Sequence, residues 1–418
     1  MKRILVMCAW CVLAMMSAAQ AQHDAKIMQM VRQVLRAGRP VERVMATDRL
    51  AVYSQQGGGF AVVTADEQEP RLLAYSPTAP LGVNDGNPGF GWWLRMVQRV
   101  GNSATAPTPP NPDRYAVRVD SLLTTLWGQS SPFNAWCPTA EGEICDDYAP
   151  DVDHCDVGCV ATAIAQIVRY YRYPAQASGE CDFAIGDQPA HTSFSGTYEW
   201  DNMLDYYKNG YTQEQGRAVA QLCYHCGLIS RMNYGTNASG SSNQNAIYGL
   251  ARYFGYSDQM HYVVRTDYSE PQWMAMIYDE LTHGRPILYT GVEVNFVQGI
   301  VGGHSFVIDG YDENGLVHVN WGWQGKANGY YDVALLNPLI YDFVDYQDMV
   351  LGFEPAHQGL VGDVTGDSVV DIADVNAVIN VMLGKVTSDE LQVASDVTVD
   401  GTVDIADVNT VINLMLGK

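Results

Sequence analysis

Three short segments of the chain carry residue types that together could perform nucleophilic catalysis. Cys159 opens an apolar stretch, His304 follows two glycines, and Asn320 precedes Trp321. A thiol at neutral pH is a modest nucleophile until its pKa is lowered or a base takes its proton. A helix N-terminus and an imidazole supply these two effects. The combination therefore predicts acyl transfer at Cys159.

Each of these residues has a predicted role. We expect His304 to accept the thiol proton and later to protonate the leaving amine. We expect Asn320 to orient the imidazole through its side-chain oxygen, and Trp321 to shield that bond from water. Three other histidines compete for the role of base, and none of them follows a pair of glycines: His154, His225 and His318.

The distance between His304 and Asn320 along the chain raises a geometric difficulty. A two-residue turn at Asn314 and Gly315 would place Asn320 opposite Asp309 instead of His304. For Asn320 to face His304, the connection must contain a longer loop or a bulge. The alternative is a Cys–His dyad in which Asn320 has a lesser role.

The N-terminus has the pattern of an export signal. Basic residues precede an apolar run from Ile4 to Met16, and Ala21 marks the expected cleavage point. This run is shorter than the roughly 20 residues that a spanning helix needs, and no longer apolar run follows. We therefore predict a signal peptide over residues 1–21, no membrane span, and a secreted protein (extracellular, cell-surface or periplasmic).

The cysteine count and the net charge limit the disulfides and the partners that the protein can have. Nine cysteines are present, of which Cys8 and Cys11 would leave with the signal. The odd remainder predicts one free thiol, Cys159, and up to three disulfides of open pairing. The spacing of Cys223 and Cys226 also suits a redox or zinc half-site, but no second pair follows. The formal net charge of −23 argues against nucleic acid as a partner.

The 418 residues predict more than one domain. Residues 22–112 contain two strand-like runs and end in a linker rich in Pro, Ser and Thr. Residues 117–355 begin with helical patterns, including a buried helix from Val160 to Tyr171, and continue with short strand-like runs. This order predicts an α+β domain with the nucleophile helix packed on a sheet.

Residues 362–418 contain an internal repeat. The loop 363–374 recurs 33 residues later as 396–407, and each loop precedes a near-copy helix. Oxygen-bearing residues at fixed loop positions predict Ca²⁺ binding, as in an EF-hand loop: Asp363, Thr365, Asp367, Asp371, Asp374, Asp396, Thr398, Asp400, Asp404 and Asp407. Threonine at the third position, and Ser368 where Gly401 stands in the second loop, predict weaker binding, most of all in the first loop.

The strings around Cys159, His304 and Asn320 resemble those of the streptopain-like cysteine peptidases, over about residues 22–355. The resemblance implies a papain-like catalytic domain, preceded by an α+β prodomain that blocks the site and disturbs the histidine until it is removed. It implies that Gln129 and the Cys159 backbone N–H bind the oxyanion. It also implies a substrate cleft bordered by Gly303, Ser239 and Ser241, with an apolar preference two positions before the cut.

The repeat is similar to a dockerin, a small all-α calcium module, which implies Ca²⁺ and a cohesin-like partner. The sequence thus predicts a secreted cysteine endopeptidase made as a zymogen, acting on proteins or peptides without a catalytic cofactor. Two alternatives stay open: a catalytically weak or inactive assembly or adhesion subunit, and a thiol acyltransferase.

Overall fold

The computed structural model describes residues 20–36, 38–65, 69–81, 86–100, 106–236, 238–295, 299–333, 346–356, 362–366, 369–386, 388–398 and 401–416. The chain forms two compact units, residues 1–354 and 355–418. The predicted signal peptide lies almost wholly outside the described residues. Among those residues, no helix combines the length and apolar character needed to cross a bilayer.

The N-terminal segment forms a small antiparallel sheet between two helices. Because side chains alternate along a strand, Val52 and Val62 pack on one face of the sheet, while Ala51 and Val63 pack on the other, against the first helix. The elements are α1 (20–34), β1 (Val41–Ala46), β2 (Leu50–Gln55), β3 (Phe60–Thr64), β4 (Leu72–Ser76) and α2 (Pro88–Val100).

A mainly helical half follows, and its core is built around the helix that begins at Cys159. The elements are α3 (Cys159–Tyr171), β5 (Gln176–Ile185), β6 (Gln188–Thr197), α4 (Gln213–Ile229), β7 (Asn233–Tyr234) and α5 (Asn243–Gly249), which continues as a wider turn, Leu250–Phe254. Strands β6, β5 and β7 form a separate sheet in that order. Val160 to Val168 are all buried, so α3 is enclosed on nearly every side.

The remaining described elements of this unit are six strands of one sheet and one α-helix. They are β8 (His261–Val264), α6 (Glu270–Thr282), β9 (Ile287–Asn295), β10 (Gly299–Tyr311), β11 (Val317–Asn320), β12 (Gly329–Tyr331) and β13 (Tyr346–Leu351). Helix α3 packs on β10, which places the start of the helix beside the middle of the sheet. The predicted α+β arrangement, with helices first and the sheet later, is confirmed.

The N-terminal strands and the later strands belong to one sheet. The order over the described residues is β1-β2-β3-β4-β12-β11-β10-β9-β13-β8, and β4 joins β12 where Tyr75 pairs with Tyr330 and Ala74 with Tyr331. The Pro-rich linker is also attached to this unit, because Thr108 bonds the Glu270 carboxylate. The two segments that the sequence separates therefore share one sheet.

The expectation of one free thiol and up to three disulfides is wrong for this structure. All seven cysteines outside the signal are free thiols: Cys137, Cys145, Cys155, Cys159, Cys181, Cys223 and Cys226. Cys223 and Cys226 are fully buried on α4, so they act as small apolar core residues. Their burial raises the pKa of both thiols, which makes a redox or metal role at this pair unfavourable.

The C-terminal unit consists of short helices around a valine core. Helices α7 (Ile372–Met382) and α9 (Ile405–Met415) are the near-copies that the repeat predicts, and α8 (Asp389–Ser395) connects them. Val378 and Val411, at equivalent positions of the repeat, are completely buried in the shared core. The predicted small all-α module is confirmed.

Candidate active site

Cys159 is the first residue of α3, and Gly158 makes this placement possible. Gly158 has φ 89°, a left-handed conformation that glycine adopts without strain. A Cβ at this position would lie 2.7 Å from the Met232 side chain and 3.1 Å from the Ser239 carbonyl oxygen. Within the described part of the chain no side chain caps the helix, so its first-turn N–H groups remain available to a negative charge.

The surroundings of Cys159 favour the thiolate. Burial raises the pKa of the Cys159 thiol, but hydrogen bonding and positive charge from His304, together with hydrogen bonds from Ser305, outweigh it. The net pKa is below the ordinary value of a thiol. The structure therefore brings the two main predicted site residues together, with Ser305 as a third contributor that the sequence interpretation missed.

A backbone carbonyl orients the His304 imidazole. The ring is 2 % exposed, and its Nε2 donates a hydrogen bond to the Trp321 carbonyl oxygen at 2.7 Å. In a neutral imidazole this leaves Nδ1 unprotonated and able to accept a proton. The Trp321 side chain is completely buried, and its ring centroid lies 6.4 Å from that of His304. Trp321 thus supplies both the acceptor and part of the wall that excludes water.

Asn320 does not orient His304, contrary to the expectation. A bulge does occur, between Ile308 and Gly310, but the resulting register pairs Asn320 with Val307, three residues beyond His304. The Asn320 side-chain oxygen accepts a hydrogen bond from the Gly322 N–H at 3.1 Å. The bulge that the sequence required is therefore present, yet it shifts the register too little to bring the amide to the imidazole.

The Asn320 amide instead ties the sheet to the nucleophile helix. Its Nδ2 donates to the Thr125 carbonyl oxygen at 2.8 Å and to Gln166 Oε1 at 3.1 Å. Gln166 is buried on α3 and also accepts from the Thr125 hydroxyl at 3.0 Å. A buried glutamine on an otherwise apolar helix is the sequence signal that could have revealed this network.

The competing histidines have structural partners. His225 is buried with its Nδ1 2.9 Å from the Tyr198 hydroxyl, and burial lowers its pKa to about 3. His318 pairs with the buried Asp309 at 2.6 Å, and both ring nitrogens of His154 lie 2.7 Å from backbone carbonyl oxygens. These contacts leave His304 as the histidine beside Cys159.

A cleft of about 630 Å³ opens at Cys159 and His304. Ser239 and Ser241 line it from the loop after β7, and Gly303, Thr290 and Val292 line it from the sheet. The Ser239 hydroxyl bonds the Gly235 backbone, and the Ser241 hydroxyl donates to the Ser230 carbonyl oxygen. Both hydroxyls already bond backbone groups. The part of the cleft wall that they form therefore consists of small side chains and is largely apolar.

Gln129 lies close to the segment that leads into helix α3 and Cys159. Its carbonyl oxygen accepts a hydrogen bond from the Val157 N–H at 3.0 Å, two residues before the nucleophile helix. Its half-buried side chain lines a second cavity with Trp323, whose ring centroid is 6.3 Å from that of His304. Gln129 therefore lines the cavity next to Trp323 and is not among the described residues that line the cleft.

Helix α2 of the N-terminal segment lies behind the His304 ring. A Cβ on Gly89 would be 2.4 Å from His304 Cδ2 and 2.4 Å from Trp321 Cε3. Only glycine permits so close an approach. The described N-terminal residues thus contact the back of the imidazole and do not line the cleft, and His304 stays beside Cys159 in their presence, whereas the family resemblance implies a disturbed histidine.

The two acidic loops are organised by their own backbone. The last carboxylate of each loop, Asp374 or Asp407, is fully buried and accepts backbone N–H bonds from Thr365 or Thr398, at 2.8 and 2.9 Å. Burial raises the pKa of each carboxyl, but these bonds outweigh it and lower the net pKa.

The structure describes some of the other predicted Ca²⁺ ligands. Asp363 and Asp396 accept N–H bonds from Gly366 and Gly401, both at 2.8 Å, while Asp371 and Asp404 cap the helices that follow. Asp367 and Asp400 lie outside the described residues. The donors are all oxygens, as a hard cation such as Ca²⁺ requires, although within the described part of the chain no three candidate ligands form a cluster.

Comparison with known proteins agrees with this site. The model of the peptidase C10 family matches residues 127–331, and that of the dockerin type I domain matches residues 361–416. Streptopain of Streptococcus pyogenes is 28% identical over 332 residues, which are 74% of this chain and 82% of streptopain. The thiol protease/hemagglutinin PrtT of Porphyromonas gingivalis is 29% identical over 338 residues, 73% of this chain and 37% of PrtT.

Two solved structures from Prevotella intermedia are similar. A fragment of prointerpain A has 37% identity and a TM-score of 0.65, covering 76% of this chain and 99% of the fragment. Active interpain A cysteine protease has 40% identity and a TM-score of 0.52, covering 59% of this chain and 99% of its own. The chain therefore belongs to the peptidase C10 family, as a papain-fold cysteine peptidase that also carries a C-terminal dockerin type I domain.

Proposed function

We propose that this cysteine peptidase cleaves peptide bonds with Cys159 as nucleophile and His304 as general base and acid. The observation that carries the proposal is the contact between His304 and a thiol at the start of α3, which lowers the pKa of Cys159. The thiolate attacks the carbonyl carbon, and the imidazolium then protonates the departing amine. Water hydrolyses the resulting thioester and restores the thiol.

The oxyanion formed in each step is bound by two N–H donors. These are the backbone N–H of Cys159, at the uncapped start of α3, and the side-chain amide of Gln129. The bond from the Val157 N–H to the Gln129 carbonyl oxygen supports this role, because it holds Gln129 beside the entry to the helix.

The cleft between Ser239, Ser241 and Gly303 receives the acyl side of the substrate. Its small, apolar wall leaves room for an extended backbone and for an apolar side chain two positions before the cut. Cleavage within a chain, as an endopeptidase, follows from an open cleft at the nucleophile.

Residues 22–112 act as a prodomain, and the chain is made as a zymogen. The junction of β4 with β12 and the contact of Gly89 with His304 support this, because removal of the segment changes the surroundings of the imidazole directly. A covalently attached regulator also acts at high effective concentration. The similarity to a fragment named prointerpain A agrees with this role.

The signal peptide directs the protein out of the cytoplasm, and the C-terminal domain attaches it to a partner. The similarity to dockerin type I domains supports calcium binding in the two loops and docking to a cohesin-like protein. The buried Asp374 and Asp407 already carry a lowered pKa, so they are ionised and ready to bind a cation.

Digestion of a denatured protein by the purified chain, after incubation under reducing conditions until residues 22–112 have been removed, tests the proposal. Cys159→Ala is expected to abolish cleavage, while the matched variant Cys145→Ala, which removes another partly exposed thiol, retains it. An irreversible thiol-directed peptide inhibitor is expected to modify Cys159 alone, as mapped by mass spectrometry. Absence of cleavage by the wild type would favour an inactive assembly subunit, and cross-linked products would indicate acyl transfer.

A further inference from the structure

A second cavity lies next to Trp323, whose ring packs against that of His304. It measures about 340 Å³, and the described residues that line it are different from those that line the cleft. Gln129 and Trp323 line it, and Trp323 packs edge-on against the His304 ring at 6.3 Å. A peptidase must hold the substrate on both sides of the scissile bond, so a second cavity next to the catalytic histidine is suited to the half that the cleft does not hold.

The cavity has a fixed shape. The Gln324 N–H donates to the Trp127 carbonyl oxygen at 2.8 Å, and Gln324 has φ 54°. Gly128 allows Gln324 to pack closely, since a Cβ on Gly128 would lie 2.7 Å from Gln324 Cγ. These contacts set one wall before any substrate binds, which favours selective recognition.

One charged group in this cavity has no partner. Asp156 is half-buried in the lining, three residues before the nucleophile, and burial raises the pKa of its carboxyl. Among the described residues, its carboxylate makes no hydrogen bond or ion pair. Lys326 also lines the cavity, but it already takes part in another interaction. A partly desolvated carboxylate without a partner favours a cationic ligand.

We propose that this cavity binds the residue directly after the scissile bond, and that Asp156 makes the enzyme prefer lysine or arginine there. The aliphatic stem of such a side chain would lie along the Trp323 ring while its charged end reaches the carboxylate. The inference rests on the proposed peptidase mechanism and adds to it a specificity residue for the amine side. It follows that the enzyme selects the substrate residue two positions before the cut by apolar contact and the residue directly after the cut by charge.

Competition between peptides tests this directly. Two peptides identical except for Lys or Glu directly after the cleaved bond are mixed with the protein after removal of residues 22–112, and the ratio of their kcat/KM values is measured by mass spectrometry. We expect the wild type to favour the lysine peptide by about tenfold, and Asp156→Asn to reduce the ratio to about twofold or less. Because both peptides meet the same nucleophile, any effect of Asp156 on Cys159 cancels in the ratio.

Two further variants complete the experiment. Asp156→Glu is expected to keep the preference, and Asp153→Asn, which changes an exposed aspartate in the same loop, to leave it unaltered. A third peptide with alanine after the cut reports whether each variant is folded and active. Equal cleavage of the charged peptides by the wild type, or a ratio unaffected by Asp156→Asn, would overturn the inference. Absence of cleavage of all three by the wild type would instead contradict the proposed mechanism.

Discussion

His304 Nε2 donates its hydrogen bond to the backbone carbonyl oxygen of Trp321, 2.7 Å away, and not to a side chain. A backbone acceptor cannot be removed by substitution, and its direction is set by the chain path after β11. The Asn328 side chain supports this path by accepting a bond from the Trp321 N–H at 3.0 Å. Imidazole orientation in this protein therefore depends on local backbone structure.

Replacing Asn320 is expected to weaken the fold more than the chemistry. Asn320→Ala removes the bonds to Thr125 and Gln166 and leaves buried polar groups unpaired, so the free energy of unfolding should fall by about 2 kcal/mol. Below the melting temperature, kcat should stay within about threefold of the wild type, since ΔΔG‡ is small when no transition-state contact is lost. Urea unfolding and steady-state kinetics measure the two quantities. A large loss of kcat at unchanged stability would restore the triad role expected from sequence.

Ser305 is expected to shift the acid limb of the pH profile of Cys159 alkylation. Its backbone N–H and its hydroxyl both lower the pKa of Cys159, and Ser305→Ala removes only the hydroxyl, so the variant should raise that pKa modestly. Thiolate is lost as the pH falls through the pKa, and the acid limb of alkylation by iodoacetamide should therefore move to higher pH in the variant. Ser305→Thr keeps the hydroxyl and serves as the control. An unshifted profile in Ser305→Ala would remove the Ser305 hydroxyl from the set of thiolate-stabilising groups.

Asp348 is expected to make stability fall as the pH rises. Burial raises its pKa to about 6, above the ordinary value of 3.8, so the folded state binds the proton more tightly than the unfolded chain does. Its stabilising contribution is complete below about pH 4 and is lost as the pH rises through about 6. Asp348→Asn should therefore be more stable than the wild type at pH 7, by about 2–3 kcal/mol, with the difference vanishing near pH 4.

The Asp348 variant also gains a donor beside the Asn243 side-chain oxygen, which has no partner among the described residues. Thermal unfolding from pH 4 to pH 7 measures the effect, and Asp258→Asn, at an exposed aspartate, is the control. A variant curve parallel to that of the wild type would show that Asp348 does not titrate in this range.

The second acidic loop is expected to bind Ca²⁺ more tightly than the first. Gly401 has φ 87° and donates to Asp396, whereas the first loop has Ser368 at the equivalent position. Calorimetric titration of the full-length protein with CaCl₂ should show the tighter event lost in Asp396→Ala and the weaker one lost in Asp363→Ala. Chelation should lower the melting temperature of the C-terminal unit, because the buried carboxylates lose their counter-ion. Equal affinities would contradict the ranking.

The sequence revealed the parts of the site that depend on local pattern. Cys159 at a helix start and His304 on a strand follow from apolar periodicity and flanking glycines, and the calcium-type loops follow from a fixed repeat. These features need only the residues within one or two turns of the chain.

The parts that the sequence did not reveal depend on register and on contacts between distant segments. The bulge between Ile308 and Gly310 was expected, but its effect on the position of Asn320 is set by the pairing of β10 with β11. The role of the Trp321 carbonyl has no side-chain signature at all. The free thiols were missed because a count of cysteines cannot show that Cys223 and Cys226 point into a packed helical core.

The junction between β4 and β12 is narrow, with two residues of each strand in register. If the N-terminal strands are removed as proposed, the edge left on the sheet is a strand of only 3 residues. A sheet edge this short offers few backbone groups with which a neighbouring polypeptide can pair. We therefore expect the enzyme to stay dispersed in solution after the proposed removal of residues 22–112.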